Sequence, residues 1–381
     1  MRIAIVHPFT PSAAGVVEKS VPTYHSQPHL KALEYLSERC HVECEMGYFT
    51  NNLFDYSLKQ RGITFKFYPV NFTLNGDHRK WKKQGSKKCL KAFKKDPPDV
   101  TIINMSGHSS PFSYELSKVI LDKGKTYIAM LGGQHYTDNL RNREYYANAH
   151  HILVHTIMQK KEMENMALFK GIDIRVFPLG VDCDVFRPLK GVELASKSEA
   201  KLLYVGRIVE WKRVHLAIKA VKTLVEHGFK DAHLNIIGPV ISKAYFDKLE
   251  LMIKKLELNK HVTFLGHKEH EELPPFFQEA DLFTLPSFKE TFGMVMIESM
   301  ACGTPVAGMN CPGGPADVID NGVDGILSTA EDYDKDILNY FENNTLQRKM
   351  SVNARNKVLD TFSLDATYGV LKNSIESLMP K

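Results

Sequence analysis

The chain has 381 residues, 43% of them hydrophobic, enough apolar surface to build two cores of ordinary size. Lysine and arginine total 49 against 44 aspartates and glutamates, a formal net charge of +5 that argues against a dedicated nucleic-acid binder. Six cysteines without a CxxC pair or a metal-like Cys/His spacing speak against structural zinc and fit free thiols in a reducing compartment. The start, Met1-Arg2-Ile3-Ala4-Ile5-Val6-His7-Pro8, is apolar for only four residues, too short for a signal peptide. No stretch approaches the roughly 20 apolar residues of a membrane span. The expectation is a cytoplasmic protein, with a peripheral membrane contact as its one link to a bilayer.

In chain order, residues 3–6 read as a strand buried on both faces, the kind found in parallel sheets. Similar runs occupy 100–104, after the turn Asp96-Pro97-Pro98-Asp99, then 127–131, ending at Gly132-Gly133, and 151–154. Amphipathic stretches at 30–36 and 114–121 lie between them, so the first half alternates strand and helix. Between Arg79 and Lys95 nine basic residues and no acidic one interleave with Trp81, Cys89, Leu90 and Phe93 at helix-like spacing. A solvated helix face is the first reading, and a surface for anionic lipid headgroups or a phosphorylated acceptor the second. His7, His25 and His29 lack the spacing and the neighbouring carboxylates of a metal site.

Val176-Phe177-Pro178-Leu179-Gly180-Val181-Asp182 closes this half, and the polar residues 190–201 read as a linker. A second alternation follows. Strands at 201–205, 234–237 and 262–265 stop at Gly206, Gly238 and Gly266, with a helix at 214–227. A strand at 281–285 runs into a loop, and a helix from near Phe292 stops at Gly303. The tail, 363–378, reads as a last helix with Ser363 at its N-cap. In doubly wound sheets ligands sit beyond the carboxyl ends of the strands, so these glycine-bearing loops should line a common crevice.

The segment Pro286-Ser287-Phe288-Lys289-Glu290-Thr291-Phe292-Gly293-Met294-Val295-Met296-Ile297-Glu298 carries the chemistry. Unpaired N–H groups and a positive dipole at the helix start favour a diphosphate there, by on the order of 1 kcal/mol per charge. Glu298 lies one to two turns inside the helix, able to offer a carboxylate to paired hydroxyls such as those of a ribose. Glu290 sits in the loop, nearer a phosphate or sugar. From spacing alone, two glutamates flanking a solvated helix would serve as well.

Glu290 and Glu298 form the E-x7-E pattern of glycosyltransferase family 4, in a run that resembles that family through Ala301-Cys302-Gly303-Thr304-Pro305-Val306. Gly322-Val323-Asp324-Gly325 is similar to its "NGVDGxL" element, residues 178–188 (PLGVDCDVFRP) to its interdomain signature, and Gly206-Arg207-Ile208-Val209-Glu210-Trp211-Lys212 to its "GRLxxxK" motif. Four motifs in order, over roughly residues 176–327, make chance agreement improbable. The resemblance implies an α/β chain of the GT-B kind, two Rossmann-like doubly wound domains facing across a cleft. The acceptor-side domain would take 1–183, with the helix 363–381 packing back on it, and the nucleotide-sugar domain 184–362.

By the same resemblance Arg207 and Lys212 hold the donor diphosphate, Glu298 the ribose, and Glu290 stands near the donor sugar and phosphates. Thr291 and the loop amides of Phe292, Gly293 and Met294 contact the donor. Gly238 lies near the phosphates, and His267 and Lys268 near the base. His135, after Gly132-Gly133, matches a histidine near the donor sugar, and completes a catalytic set of Glu290, His135, Arg207 and Lys212. Gly15 matches the family's glycine loop only in part, because one glycine stands there and the next helix starts late. That implies a longer loop over the cleft, a lid or an acceptor contact.

The activity implied is retaining hexosyl transfer from a nucleotide diphosphate sugar, GDP-mannose first and a UDP-sugar second. Attack comes on the face the phosphate leaves, with no cofactor and no metal. Glu290 as a covalent nucleophile is a second reading. The acceptor is a glycan, lipid-linked or protein-linked group, and the chain is a monomer or homodimer that binds no nucleic acid. A catalytically silent nucleotide-sugar scaffold of the same fold, or an epimerase, stays open beside it. A nicotinamide-dependent oxidoreductase would need a G-x-G-x-x-G after a strand, and none is present.

Overall fold

The computed structural model describes residues 1–14, 16–23, 28–105, 110–133, 136–189, 199–290, 292–311 and 313–378. Gly15, His135, Thr291 and most of the expected linker lie outside the described residues. The chain divides into two compact units, residues 1–179 with 364–381, and 180–363.

The first unit is built on eight strands: β1 (Arg2–His7), β2 (Glu43–Thr50), β3 (Tyr56–Gln60), β4 (Ile63–Pro69), β5 (Val100–Met105), β6 (Thr126–Leu131), β7 (Ile152–Val154) and β8 (Ile174–Val176). Their order is β3-β4-β2-β1-β5-β6-β7-β8, parallel except for β3. β3 and β4 form a hairpin through Arg61 and Gly62, both with positive φ (50° and 75°), the twist a two-residue hairpin turn demands. Apolar residues of both faces fill two cores, Ile3, Ile5, Met46 and Ile102 on one side and Val6, Phe49, Ile103 and Ala129 on the other.

The first half holds more strand than the apolar runs suggest. β2 escapes the pattern because Glu45 sits inside it, 6% exposed, its charge met by Lys66 at 2.7 Å and Arg2 at 3.7 Å. On either side of Gly15 the segment after β1 makes two short 3-10 turns, Pro11–Ala14 and Glu18–Thr23, with Val16 and Val21 in the core. The basic segment is not one helix. Only Lys87–Lys95 is α-helical, started by the Ser86 hydroxyl accepting from the Cys89 amide at 3.3 Å, after short turns at Asp77–Arg79 and Trp81–Lys83. His7 and His29 meet at 3.2 Å, yet among the described residues no group of three His, Cys, Asp or Glu could hold a metal ion. No helix among them is long and apolar enough to cross a membrane.

The second unit has six parallel strands, β9 (Glu199–Val205), β10 (Asp231–Ile237), β11 (Val262–Gly266), β12 (Leu282–Leu285), β13 (Val306–Met309) and β14 (Gly325–Ser328), ordered β11-β10-β9-β12-β13-β14. The winding reverses between β9 and β12, which opens a crevice at their carboxyl ends. The last helix, Leu364–Glu376, returns to the first unit and packs on the helix Pro28–Cys40. Arg39 reaches Asp365 at 2.6 Å and lies 4.0 Å over the Tyr35 ring, while Leu371 and Ile375 are buried.

The division falls after Leu179 rather than after Cys183, for a reason visible in the hydrogen bonds. The Val181 amide donates to the Phe362 carbonyl at 2.8 Å. The Arg355 guanidinium donates to the carbonyls of Cys183 (3.2 Å), Phe186 (2.9 Å) and Ala301 (2.6 Å), binding residues 180–187 to the second unit.

Candidate functional site

The loops that leave β9 and β12 at the switch point carry the charged residues. After β9 the chain passes Gly206 and Arg207, makes the 3-10 turn Glu210–Lys212, and enters the helix Val214–Glu226 through Arg213, whose φ of 50° closes the turn in a left-handed conformation. After β12 it passes Ser287 to Glu290 and enters the helix Met294–Ala301 at Gly293, also left-handed at 83°. The two loops are joined where the Phe288 amide donates to the Trp211 carbonyl at 2.9 Å.

Lys212 and Glu290 form an ion pair between these loops, with side chains only 11% and 10% exposed. Two charges this far out of water hold each other in place, and neither is tolerable there alone. Arg207 differs. It is exposed, its guanidinium carbon is 5.3 Å over the Trp211 ring, and among the described residues no carboxylate pairs with it. Lys212 Nζ lies 4.6 Å from the same ring, so one indole braces both cations.

Glycines set how closely the backbone packs here. The Gly314 amide donates to the Glu290 carbonyl at 3.1 Å, and a Cβ built on Gly314 would stand 1.9 Å from the Phe292 carbonyl oxygen. A Cβ on Gly238 would stand 2.0 Å from the Gly206 carbonyl oxygen. Gly238 therefore lets the ends of β9 and β10 close up, a packing duty separate from any contact with phosphate. Phe292 buries its ring against Phe362 at 5.8 Å.

Glu298, 4% exposed, is held by one oxygen. Oε1 is 2.9 Å from His270 Nε2, whereas Oε2 is buried without a hydrogen-bond partner in the structure. A buried carboxylate oxygen left so is costly unless something donates to it, and a hydroxyl of a bound ligand is a suitable donor. His267 and Lys268, expected near a base, lie 3.6 Å from Glu269 and 3.8 Å from Glu272 of their own loop. The residue of this loop that reaches the site is His270, which packs against Phe186 at 5.1 Å. Its separation of 28 residues from Glu298 left no spacing to find it by. Trp211 and Ser287 stand inside the motifs without a charge to mark them, and Gly314 is distant from both; the Ser287 hydroxyl, like Glu298 Oε2, is buried without a partner.

Two of the sequence motifs prove to be struts. In Gly322-Val323-Asp324-Gly325 the Gly322 amide donates to the Gly325 carbonyl at 2.9 Å, and Asp324, 2% exposed, takes Lys357 at 3.0 Å. Burial raises the Asp324 carboxyl above its usual range, and Lys357 opposes that shift. In the stretch 178–188 Asp182 Oδ1 accepts the Asp184 amide at 3.0 Å and sets the turn that Arg355 clamps.

Known proteins resemble this chain in sequence and fold. Residues 186–357 match the family described as "Glycosyl transferases group 1". A D-inositol 3-phosphate glycosyltransferase of Corynebacterium jeikeium (strain K411) is 30% identical over 203 residues, 49% of this chain and 46% of that protein. The chain spans less than half the length of the curated relatives it matches. Among solved structures, a glycosyltransferase from Rickettsia africae ESF-5 superposes with a TM-score of 0.72 at 16% identity, covering 99% of this chain and 98% of that one. Anabaena Alr3699/HepE in complex with UDP gives a TM-score of 0.70 at 16% identity, covering 99% and 100%. The fold is therefore GT-B, with two doubly wound α/β domains, and the second domain carries the signature of the group 1 glycosyl transferases.

Proposed function

We propose that this protein is a retaining glycosyltransferase that moves a hexose from a nucleotide diphosphate sugar to an acceptor hydroxyl. The observation that carries the reading is Glu298, a buried carboxylate with one oxygen tied to His270 and the other unpartnered, on the helix whose preceding loop carries Glu290, the partner of Lys212. It suits a ribose hydroxyl at Oε2, with the diphosphate beside Arg207, Lys212 and the start of the helix Met294–Ala301. Negative charge grows on the departing diphosphate as the glycosidic bond breaks, and two fixed cations stabilise it without reorganising. The cations take the part that a metal plays elsewhere. The departing phosphate receives the acceptor proton on the same face, so no protein nucleophile is needed.

GDP-mannose is the first donor on the sequence resemblance. The solved complexes of Anabaena Alr3699/HepE with UDP and with UDP-glucose put UDP-glucose beside it. The relatives' activity on D-inositol 3-phosphate adds a phosphorylated polyol to the glycan, lipid-linked and protein-linked acceptors. A cytoplasmic setting belongs to the same reading, because such donors are made there.

Calorimetric titration with GDP-mannose, UDP-glucose and UDP-N-acetylglucosamine, with and without Mg²⁺, tests it. Micromolar binding of one donor without metal is expected and names the sugar. Silence with all three would overturn the reading in favour of a scaffold without the chemistry. Glu298→Ala is expected to weaken binding of the free nucleoside diphosphate by about 1–3 kcal/mol, since the lost contact lies on the nucleotide and not the sugar. An unchanged nucleotide affinity would remove Glu298 from the ribose.

A further inference from the structure

β2 and β4 are parallel neighbours in register, Thr50 opposite Pro69, so the loops that follow them leave the sheet side by side. Both loops end in large apolar side chains that touch little of the protein. Leu53 and Phe54 are 85% and 78% exposed, Phe72 and Leu74 75% and 98%. Single exposed apolar residues are ordinary on a protein surface, but four on two adjacent loop tips of one sheet edge form a group.

The segment that follows brings basic residues to the same edge. The Val70 amide donates to the Thr50 carbonyl at 2.9 Å and the Asn71 amide to the Gly85 carbonyl at 2.7 Å. Asn71 Oδ1 accepts the Lys87 amide at 2.9 Å, and Lys88 pairs with Asp55 across the two segments at 3.6 Å. The start of the helix Lys87–Lys95 is thereby fixed beside both loops, with Cys89 and Phe93 facing the core and the lysines facing solvent. From residue 70 to 95 there are nine lysines and arginines against one acid, Asp77, while Glu18 lies beside the first loop and accepts from Thr50, Asn52 and Tyr56. Apolar tips flanked by a basic segment, with Asp55 paired to Lys88 and Glu18 taken up by hydrogen bonds, suit a surface that is negative at the headgroups and apolar just beneath.

We propose that this edge of the first sheet docks on an anionic lipid bilayer, with Phe54, Phe72 and Leu74 entering the interface and Lys82, Lys87 and Lys91 lying against the headgroups. The docking does not depend on the sugar-transfer reading. It is tested without donor or acceptor.

The full chain is sedimented with vesicles of phosphatidylglycerol and phosphatidylcholine, and with vesicles of phosphatidylcholine alone. Binding to the anionic vesicles is expected, with release as salt rises from 0.1 to 0.5 M on the order-of-magnitude scale of the Debye length. The triple variant Lys82→Gln/Lys87→Gln/Lys91→Gln should bind on the order of a hundredfold more weakly, at about fivefold per lysine. Phe54→Ser/Phe72→Ser/Leu74→Ser should lose at least about tenfold while keeping its fold, since those side chains are already in water. Absence of binding to anionic vesicles, equal binding to both kinds, or full binding by either triple variant would overturn the proposal. A dimer by light scattering that the Phe/Leu variant abolishes would overturn it too, in favour of a second copy as the occupant.

Discussion

Lys212→Met should cost stability and donor affinity together, whereas Arg207→Ala should cost donor affinity alone. The difference follows from burial. Lys212 and Glu290 are a buried pair, and removing the cation leaves Glu290 charged in a place with little water, a loss of about 3–5 kcal/mol in comparable cases. Arg207 is exposed and stacked on Trp211, so its removal should change the unfolding free energy by well under about 1 kcal/mol. For the nucleoside diphosphate, each lost charge-assisted contact should weaken binding by about 1.5–3 kcal/mol, roughly ten- to a hundredfold.

The double variant Lys212→Met/Glu290→Leu separates the two roles of the lysine. With both charges gone the buried volume is apolar, and most of the stability should return. Donor affinity should not. Urea unfolding and calorimetric titration of the three variants decide the matter. A Lys212→Met chain as stable as the parent would mean that Glu290 does not rely on this lysine. Unchanged nucleotide affinity in Arg207→Ala and in the double variant would remove the cationic clamp altogether.

The second unit is more legible in its sequence than the first. Its strands are short apolar runs closed by Gly206, Gly238 and Gly266, and each glycine marks a real strand end. Gly238 does so for a steric reason, the approach of Gly206, that no pattern announces. In the first unit β2 carries a buried glutamate, and β3 is almost wholly exposed, so neither shows an apolar run. Site residues that lie within one motif, Glu290 with Glu298 or Arg207 with Lys212, are found together because local spacing is enough. His270 is not, since only the winding of the sheet brings the loop after β11 to the helix that follows β12.

Acid should loosen the first unit well before carboxylates titrate. His7, on the last residue of β1, and His29, at the start of the helix Pro28–Cys40, are 3% and 6% exposed, and their Nε2 atoms are 3.2 Å apart. One ring must donate and the other accept, so the acceptor is neutral and the two cannot both be charged. His7 is boxed in by Tyr48, stacked at 4.2 Å, by Phe9 edge-on at 5.7 Å, and by Asn104, whose amide nitrogen is 3.3 Å from Nδ1. Burial pushes His29 down to about 3, with His155 adding to it, and burial lowers His7 well below its ordinary value, with His29 adding to that.

Below pH 6.5 the unfolded chain therefore takes up protons that the native one refuses. Stability is full above 6.5 and declines as pH falls, by about 1.4 kcal/mol per pH unit for each histidine. Between pH 7.5 and 5 the two should cost about 4 kcal/mol together. The chain has two tryptophans, so Trp211→Phe leaves Trp81 as the reporter of the first unit. Its urea midpoint, followed from pH 7.5 to 5, should fall steeply, and His29→Leu should reduce the slope by one histidine's share, since His7 and the likewise depressed His151 and His155 of the same unit remain. A midpoint that stays level over that range, or a slope that His29→Leu leaves untouched, would mean that the pair accepts a proton without unfolding, which its enclosure between Tyr48, Phe9 and Asn104 leaves no room to solvate.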